Sequence, residues 1–82
     1  MEDVTLLQAL RKGDEAAFAQ LIDHYHASLL RLAMTFVSSP AVAEEVVQET
    51  WIGVLEGIGR FEGRSSLKTW IFQILTNQAK TR

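Results

Sequence analysis

Apolar residues recur along this chain at three- and four-residue steps, the spacing that places them on one face of an α-helix. No alternating apolar and polar run, the pattern of a half-buried strand, lasts more than a few residues. The longest helical pattern follows Asp14 and continues for about five turns. Its apolar members are Phe18, Leu21, Ile22, Tyr25, Leu29, Leu32, Ala33 and Phe36. The spacing therefore predicts an all-α protein.

Start and stop signals divide the chain into four predicted helices. Asp14 and Ser39 are residue types that cap helix starts, Pro40 is tolerated at a first helical position, and Gly13 suits a helix end. The predicted spans are Thr5 to Lys12, a long helix from Asp14 through Phe36, Pro40 to Ile58, and Leu67 to the C-terminus, with Ser65 or Ser66 as the last cap. We expect a single domain over residues 1–82. It is a compact bundle with the glycine-containing loop "GIGRFEGRSS" before the last helix.

The third predicted helix has two faces of different character. Its inward stripe consists of Ala43, Val46, Val47, Thr50, Val54 and Ile58, and Gly53 and Gly57 allow another helix to approach closely. The opposite face carries Glu45, Gln48, Glu49 and Glu56 around Ile52, with Trp51 and Leu55 on its flank. An apolar anchor inside a polar rim is typical of a protein interface. The alternative is a solvated acidic face that tolerates one isoleucine.

The fourth predicted helix also has an unusual outward face. Leu67, Ile71, Ile74, Leu75 and Gln78 point toward the core, while Thr69, Gln73, Thr76, Asn77 and Lys80 lie opposite, with Trp70 between the two sets. Amides and hydroxyls beside a lysine can contact base edges and phosphates, and no acid in this set repels them. Phe61 and Trp70 are flat surfaces on which an unstacked base could rest. The alternative is that both are core aromatics and that the polar face meets only water.

Charge divides the chain at residue 60. Residues 1–59 contain three Lys or Arg and nine Asp or Glu. From residue 60 onward the chain has one acid, Glu62, and five basic residues: Arg60, Arg64, Lys68, Lys80 and Arg82. Two surfaces of opposite sign suit two different partners, and the basic end favours nucleic acid. Uneven scatter of ordinary surface charge is the alternative.

Composition excludes several other functions. The chain has no cysteine, so disulfides and thiolate metal sites are excluded. His24 and His26 lie two residues apart, on different faces of a helix, so we expect no metal and no cofactor. The carboxylates lack the apolar pocket or charged neighbour that would prepare them for acid or base catalysis, so we expect no enzyme. With no signal peptide and no membrane-spanning run, we expect a cytoplasmic protein.

Three segments together resemble a known family. "DEAAFAQLIDHYHASLLRLA", "AEEVVQETWIGVLEGIGRF" and "GRSSLKTWIFQILTN" are similar, in this order and spacing, to the N-terminal helical domain (region 2) of bacterial RNA polymerase sigma factors of the extracytoplasmic-function group. The resemblance covers the chain from about residue 5 to residue 82. It implies a domain that docks on core RNA polymerase and recognises and melts the minus-ten promoter element in transcription initiation.

The resemblance also implies roles for individual residues. On a sigma factor of this group, Glu45, Gln48, Glu49, Ile52 and Leu55 would meet a coiled coil of the polymerase's largest subunit. Arg60, Phe61, Arg64, Ser65 and Ser66 would form the pocket for a flipped base of the non-template strand. Lys68, Thr69, Trp70, Gln73, Asn77 and Lys80 would face DNA at the upstream edge of the bubble. An anti-sigma factor is a further expected partner.

The chain departs from the family pattern in three places. Gln73 stands in "WIFQIL" where relatives commonly have an arginine, and only Lys80 and Arg82 represent the usual basic tail. The family's second helix-turn-helix domain, which reads the minus-35 element, is absent, so we expect an excised fragment or a reduced relative. The competing hypothesis is a helical adaptor, or a degenerate sigma-like domain, that binds protein and has lost DNA contact.

Overall fold

The computed structural model of the protein describes residues 3–81 and is built from α-helices, with no strand in that range. The helices are α1 (Asp3–Arg11), α2 (Glu15–Ala33), α3 (Pro40–Gly57) and α4 (Leu67–Lys80). A short 3-10 turn, Ile58–Arg60, extends α3 before the loop that leads to α4. The predicted all-α bundle of four helices is therefore confirmed.

Local side chains set the start of the last three helices. Asp14, Ser39 and Ser66 each accept a hydrogen bond from the backbone N–H three residues ahead, at Ala17, Val42 and Thr69. Pro40 occupies the first turn of α3, where backbone N–H groups have no partner within the helix, so the N–H that proline lacks is not needed. Gly13 has a φ of +80°, the left-handed conformation that stops α1. The capping signals in the sequence thus correspond to the observed helix starts.

The second helix ends at Ala33, three residues before the predicted limit of Phe36. Beyond Ala33 the chain tightens, since the N–H groups of Thr35 and Phe36 donate to carbonyls only three residues back. The Thr35 hydroxyl also donates to the Leu32 carbonyl, at 2.7 Å. Bonds of this 3-10 type close the last turn and leave Phe36 outside the helix, 41% exposed.

The core lies where α3 packs between α2 and α4. All six residues of the predicted inward stripe of α3 are buried, as are Leu21 and Leu29 of α2 and Leu67, Ile71 and Leu75 of α4. Gly53 permits the approach of α4, because a Cβ placed there would lie 3.1 Å from Cγ2 of Ile74. Close packing of α3 on α4 leaves the outward sides of both helices open.

Trp51 is a correction to the sequence analysis. Its side chain is 7% exposed and belongs to the core, whereas the helical wheel placed it on the flank of the outward face. The ring packs edge-on against Phe18 of α2, with centroids 5.9 Å apart and an interplanar angle of 82°. Position 51 falls at the border between the two faces, and the neighbouring helix α2 covers it.

Candidate protein and nucleic-acid interfaces

The outward side of α3 forms the first candidate surface, which we call the acidic face. It consists of Glu45, Gln48, Glu49, Ile52, Leu55 and Glu56, all exposed except the half-buried Glu49. Ile52 and Leu55 stand three residues apart on this face and are 55% and 57% exposed. Two large apolar side chains in open contact with water, set among carboxylates, have the make-up of a protein interface.

An apolar cleft adjoins the acidic face. Its volume is about 280 Å³, and it opens where the α1–α2 turn meets the C-terminal part of α3. Its apolar lining consists of Leu10, Phe18, Val54, Leu55 and Ile58, and it is also lined by Gly13, Asp14 and Glu15. Leu55 belongs to both features, so the cleft extends the apolar part of the acidic face toward α1.

The second candidate surface comprises the loop after α3 and the outward side of α4; we call it the basic surface. Its exposed members are Arg60, Arg64, Ser65, Ser66, Lys68, Thr69, Gln73, Asn77 and Lys80. Trp70 is half-buried beside them. Among the predicted nucleic-acid residues, Phe61 alone is buried. Arg82, counted above in the basic tail, lies outside the described residues.

Phe61 is the second correction. Its ring is 9% exposed and therefore offers no open platform for a base. It packs against Trp70 instead, with ring centroids 4.8 Å apart and planes tilted by 33°. On another side, Trp70 contacts α3, where a Cβ placed on Gly57 would lie 3.0 Å from Trp70 Cζ2. Phe61 thus supports Trp70, and of the two rings only Trp70 is in part open to solvent.

The loop between Phe61 and α4 contains a glycine in the left-handed conformation and an exposed ion pair. Gly63 has a φ of +76°, which residues with a Cβ rarely adopt. Arg64 lies 3.3 Å from the Glu62 carboxylate, but the two side chains are 88% and 69% exposed, so the pair contributes little stability. Ser66 is committed to the α4 cap, since its hydroxyl accepts from Thr69 N and donates to Thr69 Oγ1 at 2.9 Å.

Lys68 is positioned by an aromatic ring of its own helix. Its Nζ lies 5.6 Å from the centroid of Phe72, one turn further along α4. A cation held over a ring face is attracted by the electrons of that face. This contact directs the ammonium group along the helix.

Arg11 is a functional candidate that the sequence analysis missed. It lies in the last turn of α1, and its guanidinium group crosses to the end of α3. Nε donates to the Ile58 carbonyl at 3.5 Å, and Nη2 donates to the Phe61 carbonyl. The partners are 47 and 50 residues away in sequence, so periodicity and local motifs carry no signal for them.

The histidines do not form a metal centre. His26 lies 3.8 Å from the Glu44 carboxylate through Nε2, whereas His24 packs edge-on against Tyr25. Within residues 3–81, no group of three or more His, Cys, Asp or Glu residues is arranged to hold a metal ion. Over the same range, no helix is both long enough and apolar enough to cross a membrane.

Comparison with known proteins identifies the family. The profile of the family described as Sigma-70 region 2 matches residues 21–82. The chain belongs to the sigma-70 region 2 family, as its three motif segments predict.

The relatives come from the expected group of sigma factors. The chain is 34% identical over 79 residues to the RNA polymerase sigma-H factor of Pseudomonas aeruginosa, covering 96% of this chain and 41% of the relative. It is 34% identical over 80 residues to the ECF RNA polymerase sigma-E factor of Escherichia coli K12, covering 98% of this chain and 41% of the relative. The chain thus spans about two fifths of the length of these curated relatives.

A solved structure has the same fold. It is an NMR structure of an engineered region 2 of sigmaE in complex with GTAAAA. The two share 30% sequence identity and superpose with a TM-score of 0.87, over 99% of this chain and 84% of the solved one.

Proposed function

We propose that this chain is the promoter-recognition and melting domain of an extracytoplasmic-function sigma factor, acting in the bacterial cytoplasm while bound to core RNA polymerase. The acidic face binds the polymerase, and the basic surface binds the non-template strand of the minus-ten element. The observation that carries the proposal is the separation of these two surfaces, of opposite charge, on the outward sides of two helices packed against each other. No catalytic step is assigned to the chain.

The proposed polymerase contact follows from the chemistry of the acidic face. Ile52 and Leu55 supply apolar area at its centre, and Gln48 and Glu56 supply a polar rim. Interfaces of this make-up derive most of their affinity from a few central side chains that become dry on binding. A coiled coil that presents apolar and basic side chains would be complementary to such a face, and we assign the coiled coil of the largest subunit to it. The cleft beside Leu55 gives room for one further apolar side chain.

The proposed DNA contact uses charge for affinity and the loop for strand separation. Arg60, Arg64, Lys68 and Lys80 are exposed on the basic surface and can neutralise phosphates. Trp70 presents part of its ring beside the loop, where an unpaired base can stack. Removing a base from the duplex costs a few kcal/mol, and capture of the flipped base offsets that cost. The domain therefore favours the open state by binding it.

Two features favour a role that requires the polymerase. Gln73 is exposed where the family resemblance implies that an arginine is common, and Lys80 is the basic residue of the last turn of α4. Fewer phosphate contacts mean weaker binding by the isolated domain. Core polymerase, by holding the promoter near the basic surface, raises the effective concentration of the strand. A protein-only adaptor is the competing function, and an anti-sigma factor is a further partner for the same domain.

Titration with single-stranded DNA tests the proposal. The probes are the hexanucleotide GTAAAA, a pool of randomised hexanucleotides, and a hairpin that carries GTAAAA in its duplex stem. Each is titrated with the chain alone and with the chain bound to core polymerase, at two salt concentrations. We expect the chain to bind the single-stranded probes more tightly than the hairpin. The affinity for single strands should be higher with the polymerase present and lower at high salt. If neither single-stranded probe binds even at low salt with core polymerase present, the adaptor function replaces the proposed one.

A further inference from the structure

The end of α3 and the start of the DNA-facing loop are held by a residue from the opposite end of the chain. Arg11 is the last residue of α1, and its guanidinium group donates to the carbonyls of Ile58 and Phe61. Both carbonyls belong to the segment where α3 gives way to the loop. Backbone carbonyls at a helix C-terminus carry partial negative charge, so a cation is favoured there, although the Ile58 carbonyl also accepts from the Phe61 N–H. α1 thereby acts as a brace for this segment.

Phe61 connects Arg11 to the basic surface. Its carbonyl accepts from Arg11, its ring packs on Trp70, and residue 62 begins the loop. The loop is otherwise anchored at its far end by the Ser66 cap of α4. Between these anchors, the described polar contacts are the exposed Arg64–Glu62 pair and a 3.3 Å bond from Ser65 Oγ to the Ser66 carbonyl. Such exposed contacts order a loop weakly.

We propose that Arg11 is a positioning residue for strand capture: it fixes Phe61, and through Phe61 it fixes both the loop and the ring of Trp70. This inference rests on the proposed function, because it assigns the residue that prepares the same nucleic-acid surface. Two donors of Arg11, on Nε and Nη2, are directed to backbone carbonyls, which is the contact expected of a positioning residue. A pre-ordered loop loses less conformational entropy when a base enters.

The first test separates positioning from phosphate contact. Binding of the GTAAAA hexanucleotide to the 82-residue chain is measured over a series of salt concentrations for Arg11→Ala, Lys12→Ala and Arg64→Ala. Arg11→Ala should weaken binding about fivefold to tenfold, the effect of about one hydrogen bond, with an unchanged salt slope. Arg64→Ala should weaken binding and reduce the slope by about 0.7, the value for one phosphate on a single strand. Lys12→Ala removes a neighbouring charge and should bind as the parent does.

A second pair of variants separates positioning from general loss of stability. Ser39→Ala removes the cap of α3 at the far end from the loop and should leave the affinity unchanged. Arg11→Lys keeps the charge but not the two directed donors, so it should restore only part of the affinity. Equal weakening by Ser39→Ala and Arg11→Ala would overturn the proposal. A reduced salt slope for Arg11→Ala would also overturn it, because Arg11 would then contact a phosphate.

A measurement without DNA keeps this inference distinct from the proposed function. Backbone NMR order parameters of residues 61–66 should fall in Arg11→Ala, toward the values below about 0.6 that mark flexible segments, and remain at the parent's values in Lys12→Ala. If the parent chain binds no DNA even with core polymerase present, the proposed function fails, and the order parameters alone decide whether Arg11 orders the loop. Unchanged order parameters would refute the role of Arg11 whatever the DNA result.

Discussion

Gly57 lies against the six-membered ring of the Trp70 indole: a Cβ on Gly57 would approach Cζ2 at 3.0 Å and Cη2 at 3.4 Å. The ring has little room to move away, because Phe61 packs against it with centroids 4.8 Å apart. The close approach of α4 to the end of α3 therefore depends on the absence of a side chain at position 57.

Gly57→Ala should destabilise the protein. Alanine favours the helix, but the added methyl group displaces a rigid ring, and overpacking of this kind costs about 1 kcal/mol or more. Gly59→Ala is the matched control, since nothing lies within 4 Å of a Cβ at that position, and it should be neutral or slightly stabilising. Urea denaturation of both variants measures the difference in free energy of unfolding.

The same contact can be tested through its partner. Trp70→Phe removes the Cζ2 and Cη2 atoms that face Gly57, so in that background Gly57→Ala should be less destabilising. A double-mutant cycle should show a coupling of about 0.5 kcal/mol or more. Additive free energies within error would mean that the two residues do not constrain each other.

Ser66→Ala should cost about 1 kcal/mol of stability, because it removes the hydroxyl that accepts from Thr69 N at the start of α4. Ser65→Ala is the control, since Ser65 Oγ makes only a 3.3 Å bond to its neighbour's carbonyl among the described contacts. Thermal unfolding followed by circular dichroism compares the two. Equal melting temperatures for Ser65→Ala and Ser66→Ala would contradict the observed cap.

Ile52→Ala and Leu55→Ala should each weaken binding to core RNA polymerase about tenfold, with little change in stability, because both side chains are more than half exposed. Val4→Ala is the control: Val4 is an apolar residue of α1, 71% exposed and outside the acidic face. Affinity is measured by anisotropy of the labelled chain against core enzyme. If both α3 variants bind core enzyme with the parent's affinity, the acidic face is not the docking surface.

Lys80→Ala and Asn77→Ala distinguish charge from hydrogen bonding on the outward side of α4, where both side chains are exposed. Lys80→Ala should reduce the salt slope of single-strand binding by about 0.7, as expected for one phosphate contact. Asn77→Ala should weaken binding without changing that slope, because it removes no charge. The titration uses the GTAAAA probe in the presence of core polymerase. A parent-like slope for Lys80→Ala would place Lys80 away from the backbone of the strand.

Local signals in the sequence account for most of the fold. The caps formed by Asp14, Ser39 and Ser66 could be predicted from the sequence, because each of these side chains bonds to a backbone N–H only three residues ahead. The inward stripe of α3 follows from periodicity alone. The end of α2 was predicted too late, because apolar spacing continues to Phe36 while the backbone has already tightened after Ala33.

The site was less predictable where distant residues meet. Trp51 lies between two faces of its helix, and only the position of α2 shows that it is covered. Phe61 lies in a loop, outside any periodic pattern, and its burial depends on Trp70 of α4. Arg11 contacts carbonyls 47 and 50 residues away. The residue roles taken from the family resemblance remain predictions, which the binding experiments above test.

The absence of side chains at Gly53 and Gly57 also keeps the axes of α3 and α4 close together. Helices that pack together usually have axes about 8 to 10 Å apart, with the smaller separations where small residues meet. If polymerase occupies the outer side of α3 while a DNA strand occupies the outer side of α4, only two closely packed helices divide them. A bulkier residue at either glycine would move α4 away from α3. The DNA strand on α4 would then lie farther from the polymerase on α3, even though every side chain that contacts DNA or polymerase is unchanged.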